Sequence, residues 1–375
     1  MKRVLAISFI TNFIYGGIVI AVPLALLNRG VSLVEIGAIL SIMPAVFLVV
    51  RVIFAAIADQ IGWSPIFLVN TISMTTATII YSIAKSPLEF AIGKIFEGIT
   101  MSAYWAVSRT ATYELSPGRE ASEATRVIAT VSIGGAIGGA TTGLLMNMIN
   151  VDAAFPILTA ISTIQLYPTI LLWKTGLKSG RLNIVKALKA LDLRGRNLKF
   201  WYTSIIMAIN SLARYPLFNM ILPVYMAKIL GYDYMGIGFM TAIYNLTSSL
   251  TIYLTLKKPL NVARAITQST VYVLACIGIA KYTNLLPILM IVMAFADGLG
   301  AKFYEAIIVK ATRNRNETIS VDIGVLHIPM RIFESTALII FGLIVEILGY
   351  DAAFIISGLA YISFSILSYI ETRKE

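Results

Sequence analysis

The sequence holds one cysteine, Cys276, and one histidine, His327. A lone cysteine excludes an internal disulfide, and one thiol with one imidazole is too few for a zinc, haem or iron–sulfur centre. Charge is equally scarce, at 13% of 375 residues, about half the share in a soluble domain. No glycine-rich phosphate loop followed by Lys and Ser or Thr is present, which argues against direct ATP hydrolysis. No loop gathers the His, Asp or Cys that a membrane enzyme needs. The expectation is a protein without catalytic residues, metal or cofactor.

What the sequence has is apolar surface: 58% of its residues are hydrophobic. A membrane-crossing helix takes about 20 such residues, so twelve use roughly 240 and leave about 135 for loops and tails. The uncharged run from Val4 to Leu27 is too long for a signal peptide and lacks a small-residue cleavage site, so it reads as a retained first span. Gly, Pro and charge then delimit eleven more, at 34–58, 66–84, 88–110, 127–149, 154–173, 200–227, 234–256, 262–280, 285–310, 322–348 and 352–370. The fold class is thus all-α integral membrane, with twelve transmembrane helices. An N-terminal bundle of six (1–173) and a C-terminal bundle of six (200–375) are joined by a linker over 174–199.

The net charge of +11 is explained by where the bases stand. With the N-terminus inside, 20 Lys and Arg fall in cytoplasmic segments and 4 (Arg29, Lys85, Lys228, Lys281) in outer loops. Basic loops stay cytoplasmic, so both termini are placed in the cytoplasm of a cell-membrane protein. The bases then meet anionic lipid rather than nucleic acid. Within the linker, Leu182, Val185, Leu188 and Leu191 recur at helical spacing, which fits either a surface-lying helix or a solvated basic connector.

The halves repeat one another. Gly143-Leu144 and Asp152-Ala153-Ala154-Phe155 match Gly342-Leu343 and Asp351-Ala352-Ala353-Phe354 at an offset of 199. Glu97-Gly98, Tyr104 and Ala106 match Asp297-Gly298, Tyr304 and Ala306 at an offset of 200, as Pro23 matches Pro223. Six-span units in the same orientation are parallel repeats about an axis along the membrane normal. Two such pseudo-symmetric bundles can rock about their seam.

Three local patterns carry a family resemblance. Between spans 2 and 3, Ala58-Asp59-Gln60-Ile61-Gly62 keeps an Asp and a Gly but lacks the usual bases. In span 4, Lys94-Ile95-Phe96-Glu97-Gly98 stands for Arg, two residues, Gln, Gly. In span 5, Gly134, Gly135, Gly138, Gly139 and Gly143 form a glycine-rich run with Gly135 where a Pro is usual. The chain therefore resembles the major facilitator superfamily of secondary transporters, and the third pattern resembles its exporter branch. The resemblance implies a gate at Asp59 and Gly62, with Asp59 against the positive N-terminal end of span 11, and a cavity lined by spans 1, 4, 7 and 10. Gly135, Gly138 and Gly139 are then gating candidates and tilt the direction toward export, while close helix packing accounts for the same glycines.

Charged residues inside a membrane usually face a bundle interior or a wet cavity. The spans contain Arg51, Lys94, Glu97, Arg214, Asp297, Lys302, Glu305, Arg331 and Glu334. Lys94 with Glu97, Lys302 with Glu305 and Arg331 with Glu334 are three residues apart, close enough to pair on one helix. Such pairs either neutralise one another and do nothing more, or line a polar cavity. A carboxylate in an apolar place retains its proton, and a nearby cation releases it. Making and breaking a pair would therefore couple proton movement to solute movement. Glu97 and Asp297 fit this best, with Glu305 and Glu334 as further proton candidates. Lys94, Arg214, Lys302, Arg331, Asn12, Tyr15, Asn210 and Trp105 are substrate-cavity candidates, and Arg214 either binds an anionic group or balances Asp297. Hydrogen bonds between helices account equally for Asn12, Tyr15 and Asn210, and packing for Trp105.

The expected function is alternating-access transport of a small organic solute by a monomer, coupled to protons, with export favoured. Uptake of sugars, metabolites or organic anions is the second transport reading. A receptor or structural membrane protein is the reading outside transport.

Overall fold

The structure is a computed structural model and describes residues 1–117, 119–173, 175–178, 180, 182–183, 185, 189, 196–255, 257–312 and 319–373. Leu188 and Leu191 of the expected linker helix, and the bases Arg313, Arg315 and Lys374, lie outside them. Among the described residues all regular structure is helical, apart from one isolated bridge between Gly62 and Leu177.

The first half holds α1 (Lys2–Asn28), α2 (Leu33–Ile61), α3 (Ser64–Ile83), α4 (Pro87–Glu114), α5 (Glu120–Met148), α6 (Ala154–Ile164) and α7 (Leu166–Leu172). The second holds α8 (Leu198–Pro216), a π turn (Leu217–Ile221), α9 (Leu222–Lys228), α10 (Tyr234–Thr255), α11 (Val262–Lys281), α12 (Leu286–Thr312), α13 (Ile319–Leu326), α14 (Ile328–Leu348) and α15 (Tyr350–Arg373). Each run expected to span the membrane is helical. Three are broken: at Gln165 between α6 and α7, at the π turn before α9, and at His327 between α13 and α14. Pro168 in α7, Pro223 in α9 and Pro329 in α14 lie just past the breaks, as expected of a residue that tolerates the first turn of a helix but not its interior.

Among the described residues, ten helical segments are long and apolar enough to cross a membrane. The regions of α4 and α10 are not among them. Helix α4 carries Glu89, Lys94, Glu97, Arg109 and Glu114, and α10 is rich in Ser, Thr and Asn; both rely on neighbouring helices rather than lipid for part of their surface. Capping is local: Ser32 and Glu35 form a capping box at α2, and Ser86 and Glu89 do so at α4, satisfying amide groups that a helix start leaves free.

Helix packing in one half is echoed in the other. Helix α1 packs on α5 as α8 does on α14; α2 packs on α4 as α10 does on α12; α3 packs on α4 and α6 as α11 does on α12 and α15. Two contacts dominate between the halves, α2 with α14 and α5 with α10. Both depend on absent side chains. A Cβ on Gly143 would stand 2.3 Å from the Tyr234 carbonyl oxygen, and one on Gly37 would stand 2.4 Å from that of Leu338.

The two ends of the molecule differ. At the end carrying Asn28, the halves are stitched together. Asn28 donates to the Tyr234 hydroxyl at 2.7 Å, and the Val34 amide donates to Glu346 at 3.1 Å. At the end carrying the termini, the described cross-half ion pair is the looser one between Arg109 and Glu305, at 3.6 Å, with side chains 39% and 51% exposed.

Candidate functional site

Each half builds a buried carboxylate. In the first, Lys94 Nζ lies 2.8 Å from Glu97 Oε2, and both side chains are almost fully buried. The Tyr81 hydroxyl donates to the same oxygen at 2.8 Å. Helix α4 brings Glu97 close to α2 because Gly98 has no side chain: a Cβ there would stand 2.7 Å from Val46 Cβ. The second half repeats this device. A Cβ on Gly298 would stand 2.6 Å from the Ser248 carbonyl oxygen, which seats α12 on α10. Asp297 then receives Arg214 at 2.7 Å and the Ser248 hydroxyl at 3.0 Å, both on Oδ2. The carboxylates are repeat-related but their cations are not: Lys94 shares a helix with Glu97, whereas Arg214 reaches Asp297 from α8. The sequence reading of Arg214 as a balance for Asp297 matches this geometry.

A third group lies on the seam between the halves. Arg331 and Ser211 both bond to Glu334, which joins α14 to α8. The Arg331 guanidinium also stacks over Phe47 of α2, 3.9 Å from the ring centroid, and Arg51 approaches the same ring at 5.4 Å. The charges of Arg331 and Arg109 act on Arg51. Tyr15 of α1 and Tyr215 of α8 meet across the seam, within reach of the charges of Glu97, Glu334 and Arg331. Trp105 stands edge-on to Tyr104 and packs against the cluster of Met43, Phe47 and Met101 beside Tyr15. Ionised groups in this position face other helices, where their desolvation is offset by pairing.

The expected pairs Lys94–Glu97 and Arg331–Glu334 are present; Lys302–Glu305 is not. Lys302 instead donates to the Lys258 carbonyl in the turn between α10 and α11, and Glu305 faces Arg109 of the other half. Lys302 is thus occupied at a loop and does not join the seam cluster. Asn12 is buried and bonds back to the Ser8 carbonyl at 2.8 Å, and Asn210 is buried on α8. Asp59 lies exposed in the last turn of α2. Gly62 has φ +96° and meets the start of the linker: a Cβ on it would stand 1.8 Å from the Gly176 carbonyl oxygen. Gly138 backs onto the Phe13 carbonyl, where a Cβ would stand at 1.9 Å; Gly139 faces Ile20 at 3.1 Å, and Gly135 has nothing closer than 3.8 Å. Close packing of α1 on α5 is what Gly138 provides in this structure.

Sequence reasoning missed Arg51's neighbour Phe47, and it missed Arg109 and Tyr215. Arg109 falls inside the expected fourth span, and Tyr215 stands 200 residues after Tyr15, so both signals were present.

The family-model description "Major Facilitator Superfamily" matches residues 4–301. Among solved structures, a mutant of the nucleoside transporter NupG superposes with a TM-score of 0.76 at 13% identity, over 100% of this chain and 99% of that one. A POT family transporter in complex with 5-aminolevulinic acid gives 0.76 at 13%, over 100% and 96%. The human organic anion transporter MFSD10 gives 0.70 at 12%, over 98% and 99%. No curated protein matches the chain in sequence. With the family model spanning most of the chain, and full-length agreement in fold with these transporters, the chain belongs to the Major Facilitator Superfamily: a multi-pass, all-helical membrane transporter.

Proposed function

We propose that the protein is a monomeric secondary active transporter in the cell membrane, with both termini cytoplasmic, which moves a small organic solute by alternating access. Its moving parts are two six-helix bundles, 1–173 and 200–375, which rock about the α2–α14 and α5–α10 contacts. The repeated helix pairings support this division. One observation carries the reading: ionised side chains from both halves converge on the seam, as those of a path for polar solutes between two bundles would.

Transport is coupled to protons, and export is the favoured direction. The buried carboxylates Glu97 and Asp297 are the proposed proton sites, because each shares its oxygen with a cation and a hydroxyl, so displacing the cation changes its affinity for a proton. Glu97→Gln and Asp297→Asn, made singly, should abolish solute flux driven by an imposed pH gradient in proteoliposomes, while solute exchange without a gradient persists. Unaltered coupling in both variants would remove these residues from the mechanism. The solved relatives carry nucleosides and organic anions according to their names, so uridine and aromatic carboxylates are the first solutes to screen.

A further inference from the structure

Three guanidinium groups lie on the side of the seam nearer the termini: those of Arg51 and Arg331 share the Phe47 ring, and that of Arg109 reaches Glu305 across the halves. Among the described residues, two carboxylates answer them. Glu305 takes Arg109 and Glu334 takes Arg331. Arg51 has no ion pair among the described residues, and Nε of Arg331 is buried without a hydrogen-bond partner. One positive charge is therefore left over beside the largely covered Arg331, an arrangement that an anion relieves. The Arg51 and Arg331 guanidiniums both approach the Phe47 ring, at 5.4 Å and 3.9 Å from its centroid, so that two planar forks share one aromatic neighbour. Guanidinium forks suit the two oxygens of a carboxylate better than any neutral group. Around them Tyr15, Trp105, Tyr215 and Tyr304 are only partly buried, and offer flat apolar faces to the rest of a solute.

Building on the transporter reading, we propose that the solute is a small organic anion with an aromatic or apolar body, its carboxylate held by Arg51 and Arg331 at the seam. Arg51 is the residue that selects charge, because it alone of the three has no acidic partner to satisfy it first.

The test uses the purified full chain and matched probes: benzoate, salicylate and indole-3-acetate, each against its neutral amide, with uridine as a neutral solute of another shape. Binding is read by thermal shift and by quenching of tryptophan fluorescence. In at least one pair the carboxylate should bind tenfold or more tightly than its amide. Arg51→Gln should remove that preference, Arg51→Lys should keep part of it, and Lys281→Gln, at the exposed end of α11, should leave it intact. Amides or uridine binding as well as the carboxylates, no carboxylate binding at all, or charge preference surviving in a folded Arg51→Gln protein would each overturn the proposal. Flux in proteoliposomes separates it from the transporter reading. Carboxylate-selective binding without flux keeps the anion site and removes transport, whereas flux of amides equal to that of carboxylates keeps transport and removes the anion site.

Discussion

At the scale of single residues, partner and surroundings decide what a charge does. Glu334 is buried and holds both Arg331 and Ser211. Glu334→Gln should destabilise the protein by about 3–5 kcal/mol, because it strands a buried guanidinium. Glu305→Gln should cost less than about 1 kcal/mol, since its pair with Arg109 is half exposed and such pairs contribute little. Chemical unfolding of both variants in detergent, with near-equal losses, would contradict this ranking. The same contrast explains what was legible at this scale. Pairs three residues apart on one helix were readable for Lys94–Glu97 and Arg331–Glu334 because no competing partner lies nearer. Lys302 had one, the Lys258 carbonyl, which becomes a neighbour only after α10, α11 and α12 assemble. Spacing along one helix carries no information about that.

At the scale of elements, glycine sets how closely rods approach. Gly138 and Gly135 sit in the same run of α5, yet only Gly138 faces backbone at short range. Gly138→Ala should therefore lower stability by about 1–3 kcal/mol through overpacking, whereas Gly135→Ala should be neutral or slightly stabilising. A thermal melt in detergent that ranks them the other way would dissociate the glycine run from packing. The helices themselves were readable from uncharged runs, because lipid and buried helix surface demand the same apolar composition. Their interruptions were less so. The breaks at Gln165 and His327 have a proline nearby as a signal, but Pro44 lies inside an unbroken α2. Proline alone therefore does not mark a break; neighbouring helices decide whether the freed carbonyl is satisfied.

At the scale of the whole molecule, the repeat was visible before any coordinates because corresponding positions keep a nearly constant offset, from Pro23 and Pro223 to Glu97 and Asp297. The state in which the halves meet was not visible, since it depends on contacts between distant segments. The stitched end predicts a simple lock. With Cys276 replaced by Ala, thiols introduced at Asn28 and Tyr234 should be bridged by a short cleavable reagent, and flux should stop until the bridge is reduced. Undiminished flux in the bridged protein would mean that this end need not part during the cycle.

The unequal supply of cations to Glu97 and Asp297 has a consequence for any such cycle. Lys94 and Glu97 ride on a single rod, so their separation survives when that rod tilts. Arg214 and Asp297 belong to two rods joined by no short turn, and Arg214 stands beside the π turn that interrupts its own. Sliding α8 along α12 pulls that pair apart without touching the other. A molecule built from two similar halves thus has one fastened clasp and one that can be undone.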